Sequence, residues 1–119
     1  MYKEVAVLKV DKELMRGSTT MIILSLLNEE DMYGYQIISK LKKLSDSIFN
    51  LKEGTLYPIL HGLENKGCIT SYWVDGEAGR RRKYYRITEE GLKFLKGKQK
   101  EWKLYTEVVN KIVGDFCYE

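Results

Sequence analysis

The sequence predicts a mainly α fold with a small β-hairpin (α+β): a winged helix-turn-helix extended by an additional C-terminal dimerisation helix. Three features predict it. Three successive segments carry apolar residues at three-four spacing, the pattern then switches to β-branched and aromatic residues around a glycine-containing turn, and a terminal stretch repeats apolar residues every seven. At 119 residues, with 44% hydrophobic and 31% charged content, the chain has the size and composition of one domain. Residues 1–88 are expected to form the winged helix-turn-helix, with the wing at about 69–88, and residues 89–119 a helix of the same compact unit.

The first helix is read from about Asp11 to Asn28. Leu14, Met15, Ile22 and Leu26 recur at helical spacing there, and Gly17 is a weak point in the run. Asn28 to Met32 reads as a polar connection. Tyr33 to Leu44, with Ile37, Ile38 and Leu41 on one side, reads as a second amphipathic helix ended by the turn formers of Ser45 to Asn50. A third helix is placed at about Glu53 to Lys66, where Leu56, Ile59, Leu60 and Leu63 make one stripe and Gly67 sits at the C-terminal cap. Pro58 is expected in its first turns, where a backbone N–H has little intrahelical bonding to lose.

The period then changes. Ile69 to Asp75 and Arg82 to Thr88 are rich in β formers, and Gly76 to Arg81 between them is turn-rich, so the pair reads as a hairpin. Thr88 followed by Glu89 and Glu90 starts the last helix, with a hydroxyl cap and two carboxylates at the positive end of its dipole. It is expected to run to about Phe116. Leu95, Trp102, Val109 and Phe116 are spaced by sevens, with Tyr105 and Ile112 at complementary positions, and such a seam calls for another helix. These six are the expected dimer interface.

In this order of elements the third helix can enter a major groove and the hairpin can lie along the flanking backbone. If the leucine stripe faces the core, Gly54, Pro58 and His61 lie opposite, with Thr55 and Tyr57 on the flanks: a small, polar surface suited to phosphates and base edges. Tyr57 has an alternative, packing between the second and third helices. Arg80, Arg81, Arg82 and Lys83 place four cations at the hairpin, a composition suited to gripping sugar-phosphate. Duplex DNA is therefore the expected partner.

The same residues carry a resemblance. Met32, Tyr33, Gly34 and Tyr35, then Glu53 to Leu60, then Leu63, Glu64, Gly67 and Ile69, and finally Gly79 to Thr88 resemble the PadR family of bacterial transcriptional regulators over nearly the whole chain. The chain differs at the wing, where many members have Gly-Pro and this one has Gly79 then Arg80. The resemblance implies a homodimer built through the N- and C-terminal helices, a palindromic operator, and repression relieved by an inducer. It also implies DNA contacts from Tyr33 and Tyr35 on the second helix. Ser71, Tyr72 and Trp73, with the short single C-terminal helix, resemble the compact LmrR-like branch, which implies a small aromatic or drug-like ligand at Trp102 and Tyr105.

Other classes are disfavoured. One histidine, no phosphate-cradling glycine loop and the two separated cysteines Cys68 and Cys117 give no expectation of catalysis, cofactor, metal or disulfide. Cys68 reads as a small buried residue. A winged helix used only for protein contact is the alternative reading, but it would carry an apolar third-helix surface and an acidic or neutral wing. RNA binding could draw on Tyr72, Trp73, Tyr84 and Tyr85, although a two-stranded hairpin needs those rings to cover the helices. No apolar run approaches the roughly 20 residues of a membrane span, and charges follow Met1, so a cytoplasmic location without membrane contact is expected.

Overall fold

The computed structural model describes residues 10–114. Its elements run α1 (Lys12–Arg16), α2 (Thr19–Glu29), β1 (Met32–Tyr33), α3 (Gly34–Leu44), α4 (Glu53–Asn65), β2 (Ile69–Asp75), β3 (Arg81–Ile87) and α5 (Glu89–Val113). The helices of the sequence reading are present, with two corrections at the N-terminal end.

The expected single helix over residues 11–28 is broken at Gly17 and Ser18. The Ser18 and Thr19 hydroxyls both donate to the Met15 carbonyl, closing α1 from the side and leaving α2 to restart. Likewise, the expected polar connection contains a strand. Met32 and Tyr33 pair antiparallel with Tyr85 and Tyr84, so the hairpin is a three-stranded sheet in the order β1-β3-β2. Met32 is buried beneath it. Tyr33 is accordingly the N-cap of α3 and lies outside the helix, its N–H donating to Gln36 Oε1 at 3.1 Å.

Pro58 needs a third correction. It is the sixth residue of α4, past the free N–H groups of the first turn, so the helix forgoes the bond from residue 58 to the Gly54 carbonyl. Leu56, Leu60 and Leu63 hold the helix in place by burying its inner face against Ile23, Leu27, Ile37 and Leu41. After α4 the chain reverses through Gly67 at φ 78°, a conformation glycine adopts without strain.

β2 and β3 pair in register from Ile69↔Ile87 out to Asp75↔Arg81. Only their roots are covered: Ile69 and Tyr85 are buried, while residues 73–82 stand in solvent as a wing. A turn over Glu77–Gly79, with Ala78 and Gly79 at positive φ, reverses the strands. Thr88 then caps α5 by accepting from the Gly91 N–H, as the sequence implied.

The first turns of α5 belong to the core. Leu95 is 1% exposed and Gly91 is buried against the Cys68 carbonyl. Beyond Leu95 the helix leaves the core and projects, giving principal extents of 57 × 34 × 22 Å. No described helix is long and apolar enough to cross a membrane.

Candidate nucleic-acid interface

The outer face of α4 carries Gly54, Thr55, Pro58, His61 and Asn65, all exposed, opposite the buried leucines. No large apolar side chain interrupts this set. Tyr57 is not part of it. Its ring is half-buried, and its hydroxyl lies against Gly34 so closely that a Cβ there would collide with it. The packing alternative for Tyr57 therefore describes its place: it locks the start of α3 to α4 and fixes the angle of the helix-turn-helix.

Tyr33 and Tyr35 diverge. Tyr33 lies in the sheet, edge-on to Tyr84 at 5.3 Å, whereas Tyr35 is exposed on α3; both border a shallow pocket of about 340 Å³ whose charged lining is Glu30, Lys40 and Lys43.

The wing cations divide between the two faces of the hairpin. Arg81 and Lys83 lie over the Trp73 ring, at 4.9 and 6.0 Å from its centroid, whereas Arg82 lies over Tyr33 at 4.6 Å on the opposite face. Arg80 is exposed at the turn. Among the described residues one acid reaches this group: Asp75 pairs with Arg81 at 3.4 Å, both side chains well exposed, and such a pair contributes little in water. The wing thus presents cations to solvent on both faces.

Arg86, the next cation along β3, is neutralised. Its Nε and a terminal nitrogen each donate to Asp31 Oδ2 at 3.0 Å, and the Tyr72 hydroxyl donates to the same oxygen. The bond to Asp31 is also the main reason that both the Arg86 guanidinium and the Tyr72 phenol are held above their ordinary pKa values. This clamp ties the segment before β1 to the hairpin. A sequence signal for it was absent, since Asp31 and Arg86 are 55 residues apart and Asp31 sits within an acidic run.

The helix-turn-helix, its short strand and the hairpin all fall within residues 23–97, which match the family model for the transcriptional regulator PadR-like family. The chain belongs to this family. Its members are DNA-binding transcriptional regulators with a winged-helix fold, and solved relatives share both sequence and shape with it. A transcriptional regulator from Clostridium thermocellum is 46% identical, with a TM-score of 0.79 over 86% of this chain and 99% of that one. A PadR family transcription regulator from hypervirulent Clostridium difficile is 41% identical, with a TM-score of 0.71 over 82% of this chain and all of that one. An uncharacterised protein of Lysinibacillus sphaericus is 39% identical over 101 residues, 85% of this chain and 93% of its own length.

In this PadR-like chain the expected dimer seam needs one correction and one exclusion. Leu95 packs into the chain's own core and is not on an outer surface; Phe116, like Cys117, lies outside the described residues. The other seam positions are open. Trp102, Tyr105 and Ile112 are 44%, 62% and 74% exposed, and Val109 is partly covered. Trp102 and Tyr105, with ring centroids 6.4 Å apart, face a groove of about 770 Å³ whose other wall is Leu14, Gly17 and Met21. Among the described residues, no three potential metal ligands cluster.

Proposed function

We propose that this PadR-like regulator is a homodimeric repressor that reads a palindromic operator in duplex DNA within the cytoplasm. The observation that supports it best is the pairing of a small, polar, exposed α4 face with a wing that holds Arg80, Arg81 and Arg82 in solvent beside a half-buried Lys83. Gly54, Thr55, Pro58 and His61 are the groove-facing set on this reading. Tyr35 approaches the backbone from α3, while Tyr33 and Tyr57 set the angle between the reading helix and the sheet.

Residues 1–88 then carry DNA recognition and residues 89–119 the dimer contact. A helix that leaves its core with Trp102, Tyr105 and Ile112 exposed has an apolar surface that a second copy covers. The groove beside Trp102 and Tyr105 is the place for a small aromatic or drug-like inducer, as in the compact LmrR-like branch. Such a ligand would bias the spacing of the two reading helices, which a palindrome sets at about 34 Å.

Selecting bound duplexes from a random pool at physiological salt tests this reading. A two-fold symmetric consensus is expected, with release from it by flat aromatic ligands if the Trp102 groove is the sensor. Recovery of no preferred duplex would support the alternative of a winged helix devoted to protein contact.

A further inference from the structure

We infer that Trp73 is a direct DNA contact of the wing, seating its indole on a deoxyribose while Arg81 and Lys83 take the neighbouring phosphates. The inference rests on the DNA-binding reading above and adds an apolar element to a wing otherwise described by its charge. Ile69, Ser71 and Trp73 point to one face of β2, because side chains alternate along a strand. Ile69 is buried in the core, and the Ser71 hydroxyl donates to Glu64 of α4 at 2.7 Å. Trp73 is one two-residue step further out, roughly 6.6 Å. It therefore stands on the α4 side of the hairpin, beyond the core's reach, where a backbone strand passes if α4 occupies the adjacent groove.

The ring is 55% exposed and carries two cations over it, while Asp75, on the same face, holds Arg81 only through an exposed pair that a phosphate can replace. Lys83 is its cross-strand partner and Arg81 reaches it diagonally from the next same-face position. Both contacts hold a positive group beside a flat apolar surface before any ligand arrives. That juxtaposition matches one repeat of a nucleic-acid backbone: the C–H face of a sugar suits the indole, and the phosphates on either side suit the cations. Tyr72 and Tyr84, on the opposite face, stack on each other at 5.8 Å, and Tyr72 bonds to Asp31, so they are already engaged.

The test uses the whole chain, fluorescein-labelled duplex DNA of mixed sequence at low salt, and tryptophan emission. The chain has two tryptophans, so W102F isolates Trp73 and W73F isolates Trp102. Added duplex is expected to change the emission of W102F much more than that of W73F. W73A is expected to bind the duplex about tenfold more weakly, with W73F between, and with an unchanged dependence on salt because no phosphate contact is removed. Undiminished affinity of W73A, with no emission change in W102F while anisotropy reports bound duplex, would overturn the inference. A flatter salt dependence in W73A would also overturn it, by showing that Trp73 acts only through Arg81 and Lys83. Absence of duplex binding by the wild-type chain would overturn the DNA-binding reading itself.

Discussion

Tyr85 is the largest side chain in the core, and burial pushes its phenol above the ordinary tyrosine value of 10.0. The unfolded chain gives up this proton at about 10, while the native state keeps it to a higher pH. Between those two values the unfolded state binds fewer protons, so stability is intact below pH about 10 and is lost as pH rises towards the native value. The urea midpoint is therefore expected to be flat around neutrality and to fall in alkali. Y85F should make the alkaline fall shallower, and an equally steep fall in Y85F would show that Tyr85 is not its source. Among single residues, the buried leucines and the outward Gly54, Thr55, Pro58 and His61 were legible, because a 3.6-residue period separates two faces unaided. Tyr57 was not: position on the helix flank left it two directions, and only the space opened by Gly34 decides between them.

At the scale of elements, the start of α5 is held by a close approach. A Cβ at Gly91 would collide with the Cys68 carbonyl and press on Ile87, whereas one at Gly97 would meet nothing within 4 Å. Overpacking costs about 1–3 kcal/mol, and the alanine helix propensity recovers at most about 1 kcal/mol. G91A is therefore expected to destabilise the chain by about 1–2 kcal/mol in chemical denaturation, with G97A neutral or stabilising. Equal effects in the two variants would contradict this packing. Helices and hairpin were readable from periodicity and caps, but β1 was not. Two residues cannot display an alternation, and Met32 and Tyr33 become a strand only because β3, fifty residues on, offers them a free edge. The break between α1 and α2 was half visible at Gly17; the hydroxyls that complete it act through backbone bonds that the apolar pattern does not record.

For the whole molecule the telling property is shape. The radius of gyration is 16.9 Å, against about 13 Å for a compact chain of this length, because α5 carries its apolar surface away from the core. Sedimentation at micromolar concentration is expected to give twice the chain mass. W102A should weaken that association by at least about 2 kcal/mol, roughly thirtyfold, if the ring is a central anchor. Monomer mass for the wild-type chain would contradict the proposed seam. The repeat by sevens includes Leu95 in the proposed seam, whereas Leu95 packs into its own chain: it and Trp102 share one stripe and differ in whether their own chain covers them. If this shape presents cationic wings to duplex DNA, the salt dependence of duplex affinity must differ between wild type and R81A/R82A. With three wing cations per subunit on phosphates, log affinity should fall against log salt with a slope of about −5 from the wings alone, and the double variant should flatten it. An unchanged slope in the variant, or no salt-sensitive duplex affinity in the wild type, would contradict it.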